Sequence, residues 1–385
     1  MQTNLKPITL GLLFFASFLL AEEDEIIVLE KKISSLSGWS ESVSISSIDS
    51  FELNKLDAQH PKQIFRRLPG IWISRGSGQE HLTAMRSPVL TGPGACGSFL
   101  ILEDGIPVRP AGFCNVNGLF ETAFEISGGI EAITGPASSR YGANAMHGVI
   151  NVISKPLKDE NNISTNLGPN GYRNIKAKLG NRSNWSLNVF GASNDGFREF
   201  SGYDQQKLKI RSDFQVNSWT ASLNMTLTNL NQETAGYITG LNSYKDSSLN
   251  RKNLNPEAFR DANSQRISLN LKREEENGIS LLSPFIRKND MVFLQHFLPG
   301  TPVEENSHVS YGVLFKRFLN FEHYSLIGGL QIEMADAELV ETQANALTTS
   351  SAFNNATRPQ GKHYDYEVDS KVYAAFVGID DLYIS

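Results

Sequence analysis

The sequence predicts a mainly β protein, a small mixed α/β domain followed by an antiparallel transmembrane β-barrel, and three observations carry that expectation. From residue 156 to residue 385, apolar and polar residues alternate in runs of about nine residues, the period of a strand. Brief turns and long polar loops take turns in joining those runs. Ahead of them, residues 51–155 are dense in glycine and in short apolar runs, the composition of a compact domain with little regular structure to spare.

The N-terminus sets the compartment. Lys6 precedes the apolar run Ile8–Ala21, which gives way abruptly to "EEDE". Fourteen apolar residues are too few for a spanning helix of about 20. A basic start, an apolar middle and a small residue before an acidic stretch read as a secretory signal over residues 1–21, cleaved after Ala21. Leu19 stands where a small residue is usual, which blurs the cleavage point, and no cysteine follows to carry a lipid anchor. Residues 22–50 are acidic, then serine-rich, with one apolar island, "EIIVL", at Glu25, Ile26, Ile27, Val28 and Leu29. Such an island in a polar tail is either unstructured or suited to adding a strand to a partner's sheet edge.

Within residues 51–155, Pro61 opens a helix, "PKQIFRRL", which Pro69-Gly70 closes. Strands are expected at "GIWIS", "HLTAMR" and "SFLILEDG", with Asp104-Gly105 as a tight turn, and then at "GIEAIT" and "GVINVIS". The only two cysteines, Cys96 and Cys114, bracket the central part of this domain. In an exported protein a disulfide is the favoured reading, with two buried thiols as the alternative. Closing a loop of this size stabilises by roughly 3 kcal/mol, useful to a domain whose short strands bury little apolar area.

The barrel segment shows its period best in "QKLKIRSDFQV". There Leu208, Ile210, Phe214 and Val216 alternate with Lys207, Lys209, Arg211, Asp213 and Gln215. After Asn217-Ser218 the pattern resumes in "WTASLNMTL", so the two runs make a hairpin. Similar runs near 161–168, 172–180, 185–194, 264–274, 278–288, 308–316, 324–334 and 371–381 bring the total to about ten strands. A soluble sandwich gives the same alternation. The connections decide between the two. "NRSN", "NS", "EENG" and the joint near Asn320 are brief, whereas 195–204, 229–263, 289–306 and 335–369 are long. Turns at one end and long loops at the other are the asymmetry of an outer-membrane barrel.

Several motifs resemble a known family. "LPGIWISRGSGQEHLTAMRSP", "LILEDGIPV" and "GIEAITGPASSRYGANAMHGVINVISK" are similar to the plug domain of TonB-dependent outer-membrane receptors, and "DEIIVLE" resembles that family's TonB box. The resemblance implies a plug at 51–155 seated in a barrel that begins at 156, with the tail 22–50 and its box facing the periplasm. It implies contact with TonB, which draws on the inner-membrane proton gradient, and an outer membrane around the barrel. It also implies a scarce ligand, a ferric siderophore or other metal chelate first, with haem, cobalamin and glycans as alternatives. With only residues 22–24 ahead of the box, an additional signalling domain is not expected. Family plugs and barrels exchange ion pairs, and Arg86 and Glu131 match such positions. Thr134 stands where an arginine is usual, and Arg140 is the candidate to replace it. Family barrels need about 22 strands, so about ten make an incomplete barrel whose open edge leaves backbone groups unpaired in lipid. The chain reads as part of a longer receptor.

Other chemistry finds little footing. A net charge of −6 with no basic stripe argues against nucleic acid. No G-x-S-x-G, H-E-x-x-H or Walker sequence occurs, the seven histidines are scattered, and neither an enzyme, a permanent metal site nor a cofactor is expected. Arg109, Phe113 and Asn115, beside the cysteines, are candidate ligand contacts because family plugs turn these apices outward. The stretch 353–367 mixes aromatic and basic groups able to grip an anionic chelate, or it is an ordinary solvated loop. A passive outer-membrane channel, or a ligand-binding receptor without active transport, is the rival function.

Overall fold

The computed structural model describes residues 44–89, 96–294 and 299–380. The signal segment expected at 1–21 and the box expected at 25–29 lie outside the described residues.

The N-terminal domain runs β1 (Ser44–Asp49), α1 (Ser50–Leu56), α2 (Pro61–Phe65), β2 (Ile71–Arg75), β3 (His81–Met85), β4 (Leu100–Glu103) and β5 (Ile106–Pro107). Then follow two 3-10 turns at Gly118–Glu121 and Phe124–Ile126, β6 (Gly129–Thr134), α3 (Ser138–Tyr141) and β7 (Gly148–Ile153). Five strands form one sheet in the order β1-β6-β7-β4-β5, and β2–β3 is a separate hairpin. Only β4 and β7 run parallel within that sheet.

Local chemistry explains the breaks. His60 caps α2, accepting from Lys62 N, while the Gln63 side chain returns to the His60 backbone, and Pro61 fills the first turn where its missing N–H costs nothing. The helix is shorter than the sequence suggests, ending at Phe65, because Arg66 to Leu68 continue as tight turns. Asp104 and Gly105 both take positive φ, 52° and 79°, as a two-residue hairpin turn requires. Ile64, Phe65, Ile101, Phe124, Ile130 and Ile150 are sealed in the core.

Ten further strands form one antiparallel sheet in strict sequence order. They are β8 (Asn162–Leu167), β9 (Arg173–Asn181), β10 (Trp185–Asn194), β11 (Tyr203–Val216), β12 (Trp219–Glu233), β13 (Phe259–Glu275), β14 (Gly278–Leu294), β15 (Pro302–Asn320), β16 (Ser325–Gln343) and β17 (Gly361–Asp380). The sheet is an arc of barrel wall that does not close, with β8 and β17 as its edges.

Burial along this wall is inverted relative to a soluble protein. Lys207, Lys209 and Arg211 are 2%, 2% and 6% exposed, while Ile210 and Phe214 on the opposite face are 37% and 43% exposed. Apolar side chains outward and charges inward is the pattern of a sheet whose outer face meets lipid.

The long loops expected from the sequence are shorter than read. β12 extends to Glu233, β13 begins at Phe259, β15 at Pro302 and β17 at Gly361. In β12 and β15 these extensions are largely polar on both faces, so alternation fades while the ladder continues, whereas in β17 Tyr364, Tyr366 and Val368 keep it. Outward amides bind each other instead, as where Asn229 Nδ2 donates to Asn231 Oδ1 (2.8 Å) and Asn231 Nδ2 donates to Asp261 Oδ1 (3.0 Å). Strands of 19–20 residues exceed the 9–11 that span a bilayer, so the surplus stands clear of it.

Candidate functional site

The functional geometry lies where the N-terminal domain meets the concave face of the arc. Inward cations of the wall are met by carboxylates and carbonyls of the domain. Lys207 Nζ on β11 reaches Glu125 Oε2 and Thr122 O, both at 2.7 Å. Two residues on, Lys209 Nζ lies 2.8 Å from Asp104 and 3.2 Å from Glu103. Arg266 on β13 donates to Glu103 at 2.5 Å and to Glu121 O at 2.7 Å, and Asn289 on β14 donates to Glu121 Oε2 at 2.7 Å. Arg287, buried completely, donates to Pro107 O and pairs with Glu333 of β16.

Higher on the wall, Arg260 pairs with Glu80 at 3.1 Å. Gln79 N donates to Gln232 Oε1 at 2.9 Å, and Ala235 N donates to Ser77 Oγ at 3.0 Å. Hairpin β2–β3 is thereby clamped at its tip.

Glu103 sits at the centre of this set. Burial alone would raise its carboxyl, but Lys209 and Arg266, together with hydrogen bonds from Arg266 and Ala123 N, hold it well below the usual carboxylate range. It stays ionised at any physiological pH. Buried pairs of this kind add little net stability but punish misplacement, since an orphaned charge costs about 3–5 kcal/mol. They fix where the domain sits.

The residues singled out from sequence are distributed unevenly. Cys96 and Cys114 are joined, with Cα atoms 4.6 Å apart, and Asn115 N donates to Cys96 O across the bridge. Arg109 is already engaged, donating to Glu121 and to Cys114 O. Phe113 lies against the wall with its ring 5.4 Å from His308 of β15. Asn115 is 1% exposed and braces Phe99 O and Phe113 O. It is a strut beneath the surface.

Of the candidate wall contacts, Arg140 reaches the arc, its guanidinium 5.7 Å from the Phe318 ring. Glu131 is buried within the small sheet, opposite Ser47 and Asn151. Arg86 is exposed, at a positive φ of 47°, folded over Gly70. In the outer stretch 353–367 the basic groups are paired: Arg358 and His363 with Glu341, both at 2.9 Å, and Lys362 with Asp365.

The reading of the sequence missed the domain's acids and the wall's cations as partners. A signal was present. Lys207, Lys209 and Arg211 occupy the face opposite the lipid-directed residues, and charges turned inward in a membrane barrel require partners. Which acids answer them is a long-range fact, with 82 residues separating Lys207 from Glu125.

Two buried histidines stand behind the hairpin. His60 Nδ1 accepts from Lys62 N while Nε2 donates to Glu80 O; His81 Nδ1 donates to Gln79 O while Nε2 accepts from Leu119 N. Each neutral ring satisfies both nitrogens. Burial, the larger cause, lowers His60 to about 3 and His81 to about 4. Among the described residues no group of three His, Cys, Asp or Glu side chains is placed to hold a metal ion.

Comparison with known proteins agrees with this architecture. Residues 39–149 match the family described as the TonB-dependent Receptor Plug Domain. Among solved structures, the unliganded ferric citrate transporter FecA superposes with a TM-score of 0.66 at 14% identity, over 88% of this chain and 54% of that one. The open form of the ferric-catecholate import receptor Fiu from E. coli K12 gives 0.61 at 15% identity, over 88% and 57%. The copper transporter OprC gives 0.61 at 13% identity, over 87% and 52%. The chain thus spans about half the length of these structures. Residues 39–149 therefore match the plug domain of TonB-dependent receptors, and the chain as described, a plug against an open arc of wall, has the fold of part of such receptors.

Proposed function

We propose that this chain forms the plug-bearing part of an outer-membrane receptor that imports a scarce ligand, a ferric siderophore or other metal chelate, with energy delivered through TonB. The observation that carries this reading is the plug seated against the arc by charge pairs. A plug so held closes a barrel until work is done on it, which suits energised import better than a passive channel. Fold relatives that include a ferric citrate transporter, a ferric-catecholate import receptor and a copper transporter support a metal chelate as cargo.

In this reading residues 1–21 direct export, Glu25–Leu29 add a strand to TonB, and the disulfide-tethered apex with Phe113 faces the incoming ligand. Arg109 acts from behind, linking Cys114 O to Glu121 and so to Asn289 on the wall. The test is accumulation of radiolabelled ferric chelates by cells carrying the complete receptor, with the proton gradient intact or collapsed. Import should stop on collapse while surface binding persists. Import that continues unchanged would leave a passive channel as the better account.

A further inference from the structure

The five residues before β1 carry the pattern of a strand. Trp39, Glu41, Val43 and Ile45 alternate with Ser40, Ser42, Ser44 and Ser46. β1 itself begins at Ser44, whose rung with Thr134 is the outermost of the β1–β6 ladder. β6 offers no further rung, because Gly135 turns away at a φ of 126° and Pro136 has no N–H. Side chains have to hold any continuation of the strand.

Ile45 fixes the face those side chains share. Successive residues of a strand point to opposite faces, so Val43, Glu41 and Trp39 fall on the Ile45 side. Ile45 packs against the cluster of Leu100, Leu102, Ile133 and Ala137, and so does Tyr141 of α3. Beside this cluster a cavity of about 80 Å³ opens between α3 and the wall β15–β17. Leu100, Tyr141, Leu314 and Phe376 line it, together with the cations Arg140 and Lys316. The two cations cross over the interface. The plug's Arg140 guanidinium lies 5.7 Å from the Phe318 ring of the wall, and Lys316 Nζ of the wall lies 5.1 Å from the plug's Tyr141 ring. This surface is apolar and positively charged at once.

We propose that residues 39–43 extend β1 as a strap over α3 and cover this cavity, with Val43 and Trp39 on its apolar lining and Glu41 beside Arg140 and Lys316. Three facts select this occupant. The segment is joined to Ser44, so it meets the surface at the high local concentration of a short tether, and from Ile45 an extended chain carries Trp39 about 20 Å. Residues 22–43 hold six acids against two lysines, which suits a site with two cations in place. The match to the plug family also begins at residue 39, ahead of β1. Arg140 and Lys316 keep their ring contacts, and Glu41 adds a carboxylate to them. The strap leaves only residues 30–38 between the wall and the expected coupling strand 25–29, so a pull on that strand reaches α3 and β15 first; this consequence alone rests on the import reading.

The test is made in outer membranes carrying the complete receptor, where Cys96 and Cys114 are bonded to each other. Ser139, exposed on α3 and lining the cavity, is the fixed partner for a bis-maleimide, and the link is read as the mass of the joined peptides. Glu41→Cys with Ser139→Cys should cross-link at least about fivefold faster than Ser42→Cys with Ser139→Cys, since 41 and 42 face opposite ways. Val43→Cys with Ser139→Cys repeats the measurement with Glu41 in place. Equal rates for the two faces, or no link from either, would overturn the proposal.

A second readout leaves the chain unsubstituted. Glutamyl endopeptidase should cut after Glu30 at least about tenfold faster than after Glu41, because only the strap has to open first. Trp39→Ser with Val43→Ser should bring cleavage after Glu41 up to the Glu30 rate. Rapid cleavage after Glu41 in the parent would leave the cavity to water or to the rest of the wall, and the strap would be wrong. Neither readout needs ligand or TonB. A failed strap leaves energised import standing, and failed import leaves the strap intact.

Discussion

Lys207 of β11 holds its ammonium 2.7 Å from the Glu125 carboxylate, and their side chains are 0% and 2% exposed. The Phe124 ring lies 4.6 Å from the same nitrogen, closing the site further against water. A strand in the wall and a short turn in the plug are thereby registered to each other.

Truncating one partner should therefore hurt more than removing both. Lys207→Met leaves Glu125 buried and unpaired, at a cost of about 3–5 kcal/mol to plug seating. Adding Glu125→Leu should recover most of that loss. Urea dependence of tryptic cleavage within the plug, measured for both single variants and the double, gives the coupling directly. A silent Lys207→Met would show that the pair does not moor the plug.

Acid should loosen the plug through His60 and His81. Their folded values, about 3 and about 4, lie below the ordinary 6.5, so the unfolded plug binds protons that the folded one refuses. Stability is complete above pH 6.5 and falls as pH drops towards 4, by up to about 1.4 kcal/mol per pH unit for each histidine. Protonation would leave His60 Nδ1 and His81 Nε2 unable to accept from Lys62 N and Leu119 N. His81→Gln should flatten the urea midpoint against pH between 6.5 and 4. An identical slope would remove His81 from the account.

The disulfide should be complete in protein taken from the outer membrane, with no thiol labelled after denaturation without reductant. Cys114→Ser should destabilise the plug by roughly 3 kcal/mol and loosen the apex that carries Phe113. Labelling at both positions in unreduced protein would end this prediction.

Gly148→Ala should be costly despite its small size. At a φ of 150°, the new Cβ would lie 2.3 Å from Ile133 O and 2.7 Å from Met85 Cε, so backbone must move. A loss of about 1–3 kcal/mol is expected for such overpacking, measured as a shift in the urea midpoint.

Strand period and loop asymmetry made the arc legible in the sequence. Lys207 to Gln215 alternate with Leu208 to Val216, and once the loop asymmetry selects a barrel that alternation gives the lipid face. Its limits were equally physical. Beyond the hydrocarbon layer both faces of β12 and β15 turn polar, so the ends of those strands carried no signal of pairing. The site was less legible. Asn115 looked like an apex residue because it stands beside Cys114 where family plugs turn outward, yet its amide is spent on Phe99 O and Phe113 O. Arg109 looked available, but Glu121 claims it from 12 residues away. Side-chain partnerships across such distances depend on packing that no local pattern encodes.

The most direct test of energised import lies at Ile27, at the centre of the proposed coupling strand. Strand addition relies on main-chain donors, so Ile27→Pro removes one N–H and fixes φ, while Ile27→Ala keeps the donor. Cells carrying the complete receptor with each substitution should bind radiolabelled ferric chelate equally at the surface. Ile27→Pro should lose accumulation at least about tenfold, and Ile27→Ala should stay within a few-fold of the parent. Accumulation by Ile27→Pro at the parental rate would contradict coupling through this strand.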